Sequence, residues 1–87
     1  MSDKTISYCY RVRNYDQYLH DVGELRAMGY SIDDRWSALI IKENPKFNML
    51  YLHIHVAYLT VELYDRFAGA LTVPNLEYII NELPVIK

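Results

Sequence analysis

The residues with the clearest potential for chemistry are two histidines separated by a single residue, His53 and His55. Alternate residues of a β-strand point to the same face, so a strand here would place both imidazoles side by side. Two such imidazoles can share a metal ion when the fold supplies a third ligand. His20, Glu43 and Asp33 are candidates for that ligand, but each would reach the pair only through folding. We therefore expect two polar positions on the solvent or interface side of a strand, with no bound metal and no cofactor.

Tyrosine is the dominant aromatic residue, with nine copies against two phenylalanines and one tryptophan. Its ring offers apolar contact area and its hydroxyl one hydrogen bond, which is why tyrosine is enriched at protein interfaces. Tyr51 shares the predicted strand face of His53 and His55, and Arg11 and Arg13 could join them from the first strand. These five residues form the predicted binding surface, which suits a protein partner, an acidic surface or an anionic small ligand. A tyrosine-rich exposed sheet that contacts only a second copy of the chain explains the pattern equally well.

The segment from Tyr51 to Ala57 resembles the signature of the histidine-triad nucleotide hydrolases, in which three histidines alternate with apolar residues. Tyr51 stands at the first histidine position of that signature, and His53 and His55 stand at the second and third. The similarity covers only this segment, in a chain that is short for the usual fold of that family. We carry no catalytic role over from it.

Other sequence signatures of enzymes are missing. The sequence has no Gly-rich phosphate-binding loop, no Gly-x-Ser-x-Gly turn and no local pairing of cysteine with histidine. Asp33 and Asp34 form an adjacent carboxylate pair, but neighbouring strand residues face opposite ways, so we expect a turn there. Cys9 is expected to be a small buried or half-buried strand residue rather than a reactive thiol. The sequence therefore predicts a protein that is not an enzyme.

The composition predicts one compact domain over 1–87, because 87 residues with 52% hydrophobic and 23% charged side chains suit a small globular fold. Nine basic and eleven acidic residues give a net charge of −2 without a concentrated basic face, so nucleic acid is not the expected partner. The lone cysteine excludes an intramolecular disulfide and fits a reducing compartment. The polar N-terminus lacks the apolar core of a signal peptide, and no stretch suits a membrane span. We expect a cytoplasmic protein that does not bind membranes.

The first half of the chain shows clear periodicity. The predicted elements are, in chain order, a strand over 5–13, a helix over 15–28, a strand starting at 30–32, a strand over 35–42 and a strand over 49–56. Asn14 is a suitable N-cap for the helix, and Gly29 suits the left-handed residue that follows it. Residues 35–42 are apolar on both sides, as in a central strand. They are predicted to pair with 49–56 as an antiparallel hairpin across a turn at 44–48.

From Ala57 on, two interpretations stay open. The apolar phase shifts by one residue at this point, which a bulge in one long strand would produce. A helix over 60–70 also fits, because apolar residues recur there four positions apart, and it is slightly favoured. A short amphipathic helix over 75–83 follows, with an edge strand over 78–86 as its alternative.

These elements predict an α+β two-layer sandwich, with an antiparallel sheet of three to four strands and two to three helices on one face. A helix over 57–70 followed by a C-terminal strand would instead give a ferredoxin-like βαββαβ fold.

The leading functional hypothesis is a small non-enzymatic protein that binds, and modulates or inhibits, another protein through the predicted binding surface. Small size, slight acidity and the lack of a catalytic motif are typical of phage-encoded inhibitors of host or defence enzymes, and equally of bacterial toxin-neutralising or regulatory subunits. An oligomeric binder of an anionic ligand such as a nucleotide is the first alternative, and a metal-binding protein using His53 and His55 is the second. The high apolar content also favours a homodimer or higher oligomer.

Overall fold

The computed structural model describes residues 7–65 and 71–83. In chain order, the elements are β1 (Ser7–Val12), α1 (Tyr15–Ala27), β2 (Ser31–Ile32), α2 (Asp34–Glu43), β3 (Leu50–His55), β4 (Thr60–Tyr64), β5 (Leu71–Thr72) and α3 (Leu76–Ile79). The predicted α+β class is confirmed. The sheet, however, is mixed and has five strands among these residues, whereas an antiparallel sheet of three to four strands was expected. Within the same ranges, no helix has the length and apolar character of a membrane span.

The sheet has the strand order β2-β4-β3-β1-β5. Its three central strands pair antiparallel, and the two outer strands, each of two residues, run parallel to their neighbours. Directly paired residues share a face, so this register separates two kinds of side chain. The apolar face carries Tyr8, Tyr10, Val12, Leu50, Leu52, Ile54, Val61 and Leu63, and the polar face carries Ser7, Cys9, Arg11, Tyr51, His53, His55, Thr60, Glu62 and Tyr64.

Helix α1 begins and ends where the sequence predicts. The Asn14 side chain accepts a hydrogen bond from the backbone N–H of Gln17 at 2.8 Å, and Gly29 adopts a left-handed φ of 104°. The buried hydrophobic residues of α1 and α3 join those of the apolar face in one hydrophobic core. The predicted strands in the regions of β1, β2 and β3 are also confirmed.

Residues 35–42 form a helix, so the predicted strand and its hairpin with 49–56 are wrong. The side chain of Asp33 accepts hydrogen bonds from backbone N–H groups of the first turn and is the N-cap of α2. The Asp33–Asp34 pair is therefore a helix start, not a free-standing turn. The buried residues of α2 are Ser37 and Ile40, which lie about one helical turn apart. Strand β3 pairs instead with β1 and β4.

The segment after β3 turns sharply and returns as a strand. Val56–Tyr58 forms a short 3₁₀ turn, and Leu59 adopts a left-handed conformation with φ 55°. This turn, rather than a bulge, causes the shift in apolar phase. The favoured helix over 60–70 is wrong for Thr60–Tyr64, which forms β4, while 66–70 lie outside the described residues.

The C-terminal helix predicted over 75–83 is confirmed as α3 followed by a 3₁₀ turn at Ile80–Glu82. Asn75 caps α3, because its side chain accepts a hydrogen bond from the backbone N–H of Tyr78 at 2.9 Å. The alternative strand over 78–86 is wrong as far as residue 83, and its remainder lies outside the described residues. The ferredoxin-like alternative is also wrong, because helix α2 and strand β4 make the order of elements differ from βαββαβ.

One carboxylate lies within the contact between α1 and the apolar face. Asp21 is buried, and its side chain accepts a hydrogen bond from the hydroxyl of Tyr10 at 2.7 Å. The Nδ1 atom of His20 lies 3.0 Å from the other carboxylate oxygen. Burial, and then this bond to Asp21, raises the pKa of Tyr10, so its hydroxyl remains a donor. The pair therefore joins α1 to β1 through a buried, charge-assisted hydrogen bond.

We expect Tyr10→Phe to lower the free energy of unfolding by about 1–3 kcal/mol, because it removes the hydroxyl donor of the Asp21 oxygen that faces Tyr10, while His20 contacts the other oxygen. Urea denaturation followed by far-UV circular dichroism measures the change. Tyr78→Phe is the matched control, since Tyr78 is 68% exposed. An equal stability of the two variants would contradict a structural role for the Tyr10–Asp21 bond.

We also expect His20 to make stability depend on pH. Its hydrogen bond to Asp21 raises the pKa of His20 above the ordinary value of 6.5. The stabilisation by the protonated imidazole is then fully present below about pH 6.5 and is lost as pH rises through the raised pKa. The difference in unfolding free energy between wild type and His20→Gln should therefore be larger at about pH 5.5 than at about pH 8.5. A difference that grows with rising pH would contradict this sign.

Candidate functional site

A chain of hydrogen bonds crosses the polar face from β1 to β4. Ser7 Oγ lies 3.1 Å from Nδ1 of His55, and Nε2 of His55 lies 3.0 Å from Oε1 of Glu62. The Tyr64 hydroxyl donates to the same carboxylate oxygen. This bond holds the proton on the phenol and, together with burial, raises the pKa of Tyr64 to about 12. Both ring nitrogens of His55 have a partner, and these partners fix the orientation of its ring.

The neighbouring row of the polar face is a buried thiol–imidazole pair. Cys9 Sγ lies 3.6 Å from Nε2 of His53, and both side chains are buried. The His53 ring also packs edge-on against Tyr64, with ring centroids 4.7 Å apart. Burial raises the pKa of the Cys9 thiol, so the neutral thiol predominates at physiological pH. A neutral thiol is a poor nucleophile, which favours a packing role for Cys9.

Helix α2 packs beside β4, beyond the point where β2 ends. The indole Nε1 of Trp36 donates a hydrogen bond to the backbone carbonyl of Leu63 at 2.9 Å. Strand β2 pairs with β4 only as far as Val61, so Trp36 satisfies an acceptor that β2 does not reach. The indole ring also meets Tyr64 in a T-shaped contact, with centroids 6.4 Å apart and planes at 72°. Trp36 thereby holds α2 against the border of the polar face.

An open cavity of about 540 Å³ lies between α2 and the polar face. Its described lining residues are Trp36, Ile40, Glu43, His53, His55, Tyr64 and Asp65. The three from α2 follow at i, i+4 and i+7, so one stripe of the helix faces the cavity. The walls combine aromatic rings, imidazoles and two carboxylates, and the described lining residues include no lysine or arginine. The volume lies within the usual range for ligand pockets.

The structure places two of the five residues of the predicted binding surface in the cavity and three outside its described lining. His53 and His55 line the cavity, although His53 is only 1% exposed and so belongs to its inner wall rather than to an open surface. Arg11 and Tyr51 are direct neighbours on the polar face but are not among the described lining residues. The Arg11 guanidinium donates to a backbone carbonyl in the loop before β3 at 2.6 Å. Arg13 follows β1 and is exposed.

Sequence reasoning named Glu43 only as a candidate third metal ligand, and the predicted binding surface did not include four other cavity residues, Trp36, Ile40, Tyr64 and Asp65. It placed Trp36 on a strand and the region of Tyr64 on a helix, which separated residues that the fold brings together. An available signal was Asp33 as an N-cap, followed by Trp36, Ile40 and Glu43 at helical spacing.

Metal binding and nucleophilic catalysis each require a particular grouping of side chains at this site. Among the residues that the structure describes, no group of three or more histidine, cysteine, aspartate and glutamate side chains is arranged to hold a metal ion. Ser7, His55 and Glu62 follow one another in the order of a Ser–His–acid relay. However, Ser7 is not among the described cavity residues, and Tyr64 shares the carboxylate oxygen of Glu62. We interpret these bonds as a structural network that orients His55.

We expect Cys9 to resist Ellman's reagent in the folded protein and to react once urea unfolds it. Its side chain is fully buried, and burial raises its pKa, so neither access nor the thiolate favours reaction. A Ser31→Cys variant is the control, because position 31 is exposed and its thiol should react at once. Rapid, complete labelling of native wild-type protein would show instead that the Cys9–His53 row is accessible.

Comparison with protein-family models, with curated proteins and with solved structures finds no match to this chain. Its function is therefore inferred from the chemistry of the cavity and its surroundings.

Proposed function

We propose that the chain is a small non-enzymatic protein that binds another protein, with a segment of the partner seated in the cavity between α2 and the polar face. The observation that carries this proposal is the cavity itself, with Trp36 and Tyr64 in its walls. Aromatic side chains at partly desolvated positions supply a large share of the binding energy in protein interfaces. Modulation or inhibition of the partner, as by a phage-encoded inhibitor or a toxin-neutralising subunit, is the biological role that we propose for such binding.

The surface beside the cavity favours a macromolecular partner over a small ligand. Trp36 is 41% exposed, and Leu39, one helical turn further along α2, is 55% exposed. Apolar surface therefore continues from the cavity onto the outer side of α2. A small molecule inside the cavity would leave Leu39 uncovered, whereas a partner segment crossing the cavity could cover both side chains.

The state of the polar groups supports binding rather than catalysis. His55 is held between Ser7 and Glu62, and the Cys9 thiol is buried with a raised pKa. A nucleophile has to reach its substrate, and these groups are instead engaged with one another. The anionic-ligand alternative has less support, because the two charged side chains known to line the cavity, Glu43 and Asp65, are acidic.

Selection from a random peptide display library on the immobilised protein tests the proposal. We expect enriched peptides whose affinity falls about tenfold or more in Trp36→Ala and in Leu39→Ser, because both changes remove apolar contact beside the cavity. Tyr78→Ala is the matched control, since it removes an exposed aromatic ring from α3 and should leave the affinity unchanged. Circular dichroism establishes whether each variant folds. If Trp36→Ala does not fold, the affinity of Leu39→Ser decides the result.

Two outcomes would overturn the proposal. In the first, selection on the folded protein enriches no peptides beyond those enriched on the urea-denatured protein. The other is enrichment of peptides that bind wild type and the folded cavity variants equally well.

A further inference from the structure

The charge of the cavity selects the kind of side chain that it can accept. Glu43 contributes a carboxylate from α2 and Asp65 contributes one from the end of β4. Glu62 adds a third carboxylate on the polar face, next to His55. Among the described lining residues, the acidic side chains are Glu43 and Asp65, and none of these lining residues is a lysine or arginine. A cationic guest is therefore favoured over an anionic one.

The aromatic walls favour the same kind of guest. The rings of Trp36 and Tyr64 meet at 72°, so the cavity is bordered by two aromatic surfaces that differ in orientation. A cation placed over the face of a tryptophan or tyrosine ring is attracted by the ring quadrupole. Because the Tyr64 hydroxyl is directed to Glu62, its phenol donates within the protein and remains uncharged. The site thus combines aromatic contact with carboxylates, the two features that recognise organic cations.

We propose that the cavity binds the guanidinium group of an arginine side chain on the partner protein. This inference rests on the proposed function and specifies the chemistry of the segment that occupies the cavity. A guanidinium is planar and weakly hydrated, stacks on aromatic rings and can form two parallel hydrogen bonds to a carboxylate. A lysine ammonium is a more strongly hydrated point charge and loses more hydration on entering a cavity with aromatic walls. The assigned roles are stacking for Trp36 and Tyr64, and charge pairing for Glu43.

The test uses the single tryptophan of the chain as its reporter. The fluorescence of Trp36 is followed during three separate titrations, with the Nα-acetyl amides of arginine, citrulline and lysine. Each compound keeps its side chain unmodified. Citrulline has nearly the shape of arginine but carries no charge. We expect the arginine compound to bind about tenfold more tightly than the citrulline compound, and several-fold more tightly than the lysine compound.

Two charge variants test whether the cation binds in the cavity. Glu43→Gln should weaken arginine binding about threefold, because it removes one carboxylate of the cavity without changing its shape. Glu77→Gln is the matched control, since Glu77 is an exposed carboxylate on α3 outside the cavity, and binding should be unchanged. Equal weakening by both variants would indicate long-range attraction rather than a site, and would overturn the proposal.

Three further outcomes would also overturn it: no response to the arginine compound, equal binding of arginine and citrulline, or equal binding of arginine and lysine. The peptides enriched by display separate this proposal from the proposed function. Peptides that depend on Trp36 and Leu39 but keep their affinity when arginine is replaced by citrulline would support protein binding and reject the guanidinium. Loss of about tenfold in affinity on that replacement would support both.

Discussion

The register of the three central strands is the constraint on which the rest of the structure depends. Side chains alternate strictly along a strand, so a slip of one residue between β1 and β3 would exchange the two faces of the sheet. In the observed register, Tyr10, Leu52 and Leu63 form one row, and Cys9, His53 and Glu62 form the next. The first row belongs to the hydrophobic core beneath α1. The second builds the polar face, so one set of backbone pairings fixes both the stability and the candidate site.

The cavity is a consequence of how short β2 is. Two residues pair with β4, and the chain then turns into α2 at the Asp33 N-cap. A longer β2 would have continued along β4 and completed an ordinary sheet edge. Instead the Trp36 indole bonds to the free carbonyl of Leu63, which protects the edge from pairing with another strand. The same contact holds the helical stripe of Trp36, Ile40 and Glu43 opposite the polar face, where it forms one wall of the open cavity.

The sequence predicted the elements that carry a local signal and failed where contacts distant in sequence decide. Helix α1 has Asn14 and Gly29 at its ends, and β1 alternates cleanly, so both are evident without the fold. Residues 35–42 contain two isoleucines, a leucine and a tryptophan, and this composition outweighed the aspartate cap. Leu59 and Leu63 are four residues apart, as on one face of a helix, but Leu59 ends the 3₁₀ turn and Leu63 lies in β4. The alternation of side chains along β3 assigned His53 correctly to the face opposite Leu52 and Ile54. It could not show that α2 borders this polar face.

Paired polar groups hold the side chains of the polar face in one arrangement. In a chain of this length the stability margin is small, so a buried polar group without a partner would be costly. The chain instead buries His53 against Cys9 and holds Glu62 between His55 and Tyr64. Such a network stabilises the fold only when its members are paired, and it then confines their side chains to one arrangement. The polar face is therefore a rigid wall beside the exposed Trp36 ring, and the proposed guest would lie between them.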